Sequence, residues 1–148
     1  MKRREQKIIP NLWFDTEAGE AVEFYTSFFK DSKIHSQTQY SEAGQEIHQK
    51  EPGSVMTVAF ELEGYQLLAL NGGPHFKFNS SISLFVVCDN EEEINRLWNA
   101  LFEGGEVLLP LDSYDWSERY GWLQDRYGLN WQLILKDREY NPEQKICP

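Results

Sequence analysis

The sequence predicts an α+β protein built from two copies of one β-α-β-β-β module, giving two curved antiparallel sheets with their helices outside. Three observations carry that expectation. A short apolar strand that runs through an acidic turn into a helix occurs twice, as Leu12-Trp13-Phe14-Asp15 and as Phe85-Val86-Val87-Cys88-Asp89. Asp15 and Asp89 stand half a chain length apart. After each helix the remaining segments have the character of strands. Residues 7–74 and 81–136 are the two expected modules of a single domain, 1–148. A sheet with a helix on one face leaves the other to be covered. The economical arrangement sets the two sheets face to face around a cleft.

Residues 7–14 read as the first strand, with Ile9, Asn11 and Trp13 on one side and Ile8, Leu12 and Phe14 on the other. Asp15 or Thr16 is placed to cap the helix that follows. Ala18, Ala21, Val22, Tyr25, Phe28 and Phe29 recur at helical spacing over 18–29. Residues 33–40 form a weak strand, and 41–54, with Gly44, Pro52 and Gly53, a polar loop. Residues 55–62 alternate well, Gly64-Tyr65 turns the chain, and 66–70 form the next strand, which ends at Asn71-Gly72-Gly73-Pro74. A connector over 75–80 leads to Ile82, where the second module opens. Asp89 with Glu92 fits a capping box. Ile94, Leu97, Trp98 and Leu101 make the second helical stripe, closed by Gly104-Gly105. Residues 106–111, 120–124 and 130–135 supply three more strands. Between the first two lies a loop, 112–119, with two aromatics, Tyr114 and Trp116. It either covers the cleft or a partner surface, or is a hairpin tip pinned to its own sheet. The tail from Lys136 is polar and is expected to be loosely attached.

Composition narrows the classes of function. A chain of 148 residues with 41% hydrophobic and 14% aromatic content can bury a core. A net charge of −10 opposes nucleic-acid backbones and anionic membrane surfaces. Lys2-Arg3-Arg4 is followed by no long apolar run, so neither a signal peptide nor a membrane span is expected, and a cytoplasmic location is the default. Cys88 and Cys147 make no disulfide framework, and no CxxC or HxxxH spacing offers structural zinc. Cys88 reads as a small buried apolar residue.

Four segments carry a resemblance: Leu12-Trp13-Phe14-Asp15, Ala21-Val22-Glu23-Phe24-Tyr25, Leu70-Asn71-Gly72-Gly73-Pro74, and the run 121–132 (GWLQDRYGLNWQ), the most specific of them. Over about residues 7–136 the chain resembles the PhnB-like branch of the vicinal oxygen chelate superfamily. That superfamily includes glyoxalase I, extradiol dioxygenases and bleomycin-resistance proteins, and the branch often carries the label 3-demethylubiquinone-9 3-methyltransferase. The resemblance implies the glyoxalase/bleomycin-resistance fold of paired βαβββ modules and a homodimer. Methyl transfer from a nucleotide-type donor is not expected. It normally needs a glycine-rich turn from a parallel strand into a helix, and Gly72-Gly73 leads to Pro74 and a connector.

Metal-dependent members of the superfamily hold a divalent ion with four His or Glu side chains. Carried over by position, these fall at Ile9 (or Pro10), Leu67, Ser83 and Gln132. Two alkyl groups, a hydroxyl and a carboxamide are a poor ligand set, so no metal and no cofactor are expected. Alternation instead turns Asn11, Trp13, Leu67, Ala69, Asn71, Ser83, Phe85, Tyr120, Trp122, Asn130 and Gln132 towards the cleft. Rings with a few neutral polar groups suit a small apolar or aromatic ligand. The expected ligand-binding residues are Trp13, Asn71, His75, Ser83, Phe85, Tyr120, Trp122 and Gln132, with no catalytic residue assigned.

Each has a plainer reading. Trp13 and Trp122 stand open between pocket wall and core, Gln132 can satisfy a neighbouring backbone group, and His75 fits a surface loop as well as an acid/base role. Trp131, in phase with Leu133 and Leu135, reads as core. His35 and His48 lie in polar surroundings. Three functions follow. The first is a metal-free protein that binds a small ligand. The second is an enzyme of the superfamily with a displaced metal or an acid/base site drawn from His75, Tyr120 and a carboxylate. The third is a dimeric interaction module whose aromatics serve packing.

Overall fold

The structure, a computed structural model, describes residues 5–136. The basic start, Cys147 and the tail beyond Lys136 lie outside the described residues. The chain divides into two compact units, Met1–Lys77 and Phe78–Pro148.

The first unit runs β1 (Asn11–Phe14), α1 (Ala18–Phe28), β2 (Lys33–Gln39), α2 (Gln45–His48), β3 (Val55–Leu62) and β4 (Tyr65–Asn71). Its sheet has the order β1-β4-β3-β2. β2, β3 and β4 form the antiparallel part, while β1 lies parallel to β4. The sheet is therefore mixed, which corrects the expectation of purely antiparallel sheets: the helix that follows the first strand carries the chain across, so that β1 lies parallel to β4. β1 is shorter than the predicted 7–14. Pro10 has no N–H to donate, although its carbonyl accepts from Leu68 N–H at 2.9 Å. Further upstream the Gln6 side chain takes the place of a strand. Its Nε2 donates to the Gln66 carbonyl at 2.9 Å, and its Oε1 accepts from Gln66 N–H at 3.0 Å. The polar loop 41–54 holds one helical turn, α2, bracketed by left-handed Gly44 and Gln49.

Ala18, Ala21, Val22 and Tyr25 of α1 are buried together with Leu12, Phe14, Val58, Phe60, Leu62, Leu67 and Ala69. The start of α1 is capped from outside the helix. Neither Asp15 nor Thr16 caps it; Asn71, at the end of β4, accepts from Ala18 N–H at 2.8 Å.

The second unit repeats the order: β5 (Ser83–Cys88), α3 (Glu91–Phe102), β6 (Glu106–Tyr114), β7 (Ser117–Gln124) and β8 (Asn130–Leu135). Its sheet order is β5-β8-β7-β6, again with the first strand parallel to the last. Ile94, Leu97, Trp98 and Leu101 of α3 are buried, as are Cys88, Leu123, Trp131 and Leu133. Trp131 is thus core, as its phase predicts. The capping box sits one residue later than the sequence reading. Asn90 Oδ1 accepts from Glu93 N–H at 2.8 Å, and the Glu93 carboxylate accepts from Asp89 N–H at 3.1 Å.

Of the two readings of 112–119 the structure shows the hairpin tip, with longer strands than the sequence marked, because β6 extends to Tyr114 and β7 begins at Ser117. Tyr114, Trp116 and Tyr120 pack on one another there. Trp116 lies 4.3 Å from Tyr120 and 5.6 Å from Tyr114, ring centre to ring centre. The aromatics pin the tip to its own sheet.

The turn between β7 and β8 is organised by Asp125, which is 2% exposed. One carboxylate oxygen accepts from Tyr127 N–H at 2.8 Å and Leu129 N–H at 3.1 Å. The other accepts from the Trp131 indole at 2.9 Å. Gly128 takes a positive φ of 92° in the same turn, which a side chain would disfavour. Much of the run 121–132 thus serves the turn and the core.

Candidate functional site

In the second unit the face turned away from α3 carries Ser83 and Phe85 on β5, Tyr120 and Trp122 on β7, and Asn130 and Gln132 on β8. Register places Phe85 beside Gln132 and Gln132 beside Trp122, with Ser83 beside Asn130. Here the predicted alternation and the structure agree. Five of the expected ligand-binding residues share one surface.

Three of them form a hydrogen-bonded row across the sheet. The Tyr120 hydroxyl donates to Gln132 Oε1, and Gln132 Nε2 donates to Ser83 Oγ at 2.9 Å. Burial, and secondarily the neighbouring Tyr114, pushes the Tyr120 phenol above its ordinary value of 10.0. The phenol is therefore a hydrogen-bond donor at neutral pH and a poor base. With Gln132 oriented from one side, Ser83 Oγ accepts its hydrogen bond and keeps its own O–H to offer. Trp122 is half-buried and donates from its indole to Asn130 Oδ1 at 3.0 Å, while Phe85 remains 47% exposed. A ring on either side of a polar row gives apolar area with a few fixed polar groups.

The first unit divides its expected residues differently. Trp13 lies on the face away from α1, opposite Leu70, and Asn11 lies opposite Leu68. The placement of Leu67, Ala69 and Asn71 with them is corrected. These three pair with Phe60, Val58 and Phe14, on the side that carries α1. The Asn71 amide is bound locally, accepting from Ala18 N–H and donating to the Val55 carbonyl at 3.2 Å. Trp13 covers the glycine pair. Its indole donates to the Gly73 carbonyl at 2.9 Å, and its ring stands edge-on to Phe76 at 4.8 Å. His75 is exposed on the connector.

The positions that answer to the superfamily's ligands do not fit a divalent cation. Ser83 and Gln132 are hydrogen-bonded to each other, and Leu67 faces the helix side, so Leu68 takes its place on the opposite face. Among the described residues no three His, Cys, Asp or Glu side chains converge to hold a metal.

Sequence reading missed one polar pair. His35 Nε2 lies 2.6 Å from Glu61 Oε1, although the residues are 26 positions apart. Glu61 is 9% exposed. A carboxylate on the alternating strand 55–62 was the available signal, but its partner came from the weakest strand.

Among the described residues no helix is long and apolar enough to cross a membrane. A family profile described as 3-demethylubiquinone-9 3-methyltransferase matches residues 6–134. A PhnB protein from Bacillus cereus with the same description is 39% identical; the match covers 88% of this chain and 99% of that one, with a TM-score of 0.79. Two more distant structures share the fold alone. A glyoxylase/bleomycin resistance protein/dioxygenase domain from Frankia is 12% identical, covering 93% of this chain and 96% of that one, TM-score 0.58. A genomically encoded fosfomycin resistance protein from Listeria monocytogenes is 13% identical, covering 93% and 98%, TM-score 0.57. No curated protein matches the sequence significantly. The glyoxalase/bleomycin-resistance fold that the repeated module implies is thus shown, and the chain, similar to the PhnB protein from Bacillus cereus, belongs to the 3-demethylubiquinone-9 3-methyltransferase family.

Proposed function

We propose that the chain binds a small apolar or aromatic molecule without the superfamily's metal, on the second unit's sheet face. The observation that carries this reading is the row Tyr120–Gln132–Ser83 with Phe85 and Trp122 beside it. The rings supply area for a flat molecule, and Ser83 offers a hydroxyl held in place by Gln132. A hydroxyl and a carboxamide already paired with each other leave little for a cation. Methyl transfer is not part of the reading: the Trp13 indole occupies the space above Gly72-Gly73 where a donor's polar groups would need to approach. A homodimer and a cytoplasmic location accompany the proposal, from the family resemblance and from composition.

Native mass spectrometry of the full chain tests the ligand, the metal and the subunit number together. The expected spectrum is a dimer that retains a small organic mass and no stoichiometric metal. Trp122→Ala should weaken binding about tenfold or more, worth about 1.4 kcal/mol, with circular dichroism unchanged. A stoichiometric ion that Gln132→Leu and Ser83→Ala release would overturn the metal-free reading. Undiminished binding by Trp122→Ala would move the ligand elsewhere.

A further inference from the structure

The second unit carries a groove on the side of its sheet where α3 lies, opposite to the row Tyr120–Gln132–Ser83. It measures about 420 Å³, within the roughly 300–1,000 Å³ usual for small-molecule sites, and lies between α3 and the edge strand β6. Trp98 and Asn99 of α3 and Pro110 and Leu111 of β6 wall it, and Arg119 of β7 is the one charged residue in its lining among the described residues. The sequence builds this groove locally. A Cβ at Gly121 would come within 2.5 Å of Trp98 Cζ3 and 3.0 Å of Leu111 Cα, so only a glycine lets the indole lie against the sheet as a wall. The pairing of β6 with β7 shifts register between Val107 and Leu109 and again between Leu109 and Asp112, and Pro110 has no N–H to give to a ladder. These irregularities re-aim the side chains of the edge strand.

Arg119 is held in place by an amide. Its Nε and Nη2 both donate to Asn95 Oδ1, at 3.0 and 2.8 Å. That fills one edge of the guanidinium and leaves the other, Nη1 with the second Nη2 hydrogen, without an acceptor among the described residues. No carboxylate among them pairs with it, although the chain has 24 acidic residues to 14 Lys and Arg. A cation that served only to tie α3 to the sheet would gain more from an aspartate at position 95, whereas an amide holds the fork and keeps its charge available. Trp98 adds a second donor. It is 8% exposed, yet its indole N–H has no acceptor among the described residues. No buried side-chain nitrogen among them is left unpartnered, so that N–H reaches the surface.

We propose that this groove binds a small organic monocarboxylate with a single-ring apolar body. The open edge of Arg119 takes the carboxylate as a two-pronged pair, and Trp98, Pro110 and Leu111 cover the body. Asn95 is a positioning residue that acts through the guanidinium. One cation matches one negative charge. A dianion such as a phosphate monoester is disfavoured by the net charge of −10 and by exposed Glu91, one turn before Asn95, and Glu118, next to Arg119. The site is separate from the one on the opposite face, and it stands or falls without it.

Benzoate is the probe, titrated into the full-length protein at neutral pH and followed in nitrogen-15 spectra at the indole and Arg119 Nε–H signals. The expected result is a saturable shift of the Trp98 and Arg119 signals, with weaker binding of phenyl phosphate and of benzamide, which has the ring without the charge. Arg119→Lys keeps the charge but loses the fork and should weaken benzoate about tenfold or more. Asn95→Asp should weaken it as much with the melting temperature held, because the new carboxylate keeps the tie to α3 but neutralises the guanidinium. Arg126→Gln, which removes a cation outside the groove, should behave as wild type. No saturable shift, equal affinity for benzamide, tighter binding of phenyl phosphate, or undiminished binding by Arg119→Lys or Asn95→Asp would overturn the proposal. So would a shift confined to the Trp122 indole, which would place benzoate on the opposite face instead.

Discussion

At Gly72 an added Cβ would come within 2.3 Å of Trp13 Cζ2, a rigid ring already tied to Gly73. Neither side can yield without breaking that bond. Gly72→Ala should therefore destabilise the protein by about 1–3 kcal/mol, the usual range for overpacking, read as a lower denaturant midpoint at unchanged slope. Tyr120 provides a pH signature. Its folded pKa is raised above 10.0, first by burial and then by Tyr114, so the folded state keeps the proton longer than the unfolded chain does. The associated stability is intact below about pH 10 and is lost as pH climbs from there through the folded value. Tyr120→Phe should lower stability at neutral pH by about 0.5–1.5 kcal/mol, for one lost hydrogen bond, and flatten the alkaline decline. Chemical denaturation from pH 8 upward checks both; an unchanged alkaline slope in Tyr120→Phe would remove Tyr120 as its source. The side-chain types at these positions could be read from sequence, but Trp13 stood open between wall and core until its contact with the glycine pair decided it.

At the scale of elements, α3 has a reciprocal cap whereas α1 borrows its cap from β4. Asn90→Ala removes the acceptor for Glu93 N–H and should cost about 1 kcal/mol, seen as a lower melting temperature. Asp89→Ala should cost less, since Asp89 contributes its backbone N–H to the box rather than its side chain. The same contrast shows what sequence could reveal. The second unit's faces were legible because Tyr120, Trp122, Asn130 and Gln132 alternate with Leu123, Trp131 and Leu133, so polarity separates the two sides. On β4 the run Leu67-Leu68-Ala69-Leu70 is apolar on both sides, and alternation has no contrast to work with. Only the pairing of Leu12 with Ala69 decides that Asn71 faces α1. The cap from Asn71 to Ala18 spans 53 positions and leaves no local pattern. His35 was missed for a related reason. A bulge breaks the two-residue period that sequence reading depends on, and residues 33–40 carry little hydrophobic contrast to restore it.

For the molecule as a whole, the repeat was legible because both copies keep the same order of elements and the same parallel pairing of first and last strands. Charge is the property that acts over the entire chain. A net charge of −10 produces self-repulsion in the compact state that the extended chain relieves. Part of the acidic excess is placed favourably: Glu91, Glu92 and Glu93 occupy the first turn of α3, where the helix dipole welcomes negative charge. Glu42, Asp115 and Glu118 are exposed and occupy no helix start. Salt should therefore act with two signs, weakening the favourable terms within a turn and the repulsion over longer distances. At a Debye length of about 8 Å in physiological salt, the long-range terms are the ones largely screened. The net expectation is a melting temperature that rises from low salt to about 0.15 M sodium chloride, by about 2–4 °C for each kcal/mol of repulsion removed. Replacing Glu118 with Gln should reduce that rise, whereas Glu92→Gln should instead lower the melting temperature at low salt through the lost dipole interaction. A melting temperature that falls monotonically with added salt would mean that local ion pairs and helix-end charges, rather than net repulsion, dominate the electrostatics of this fold.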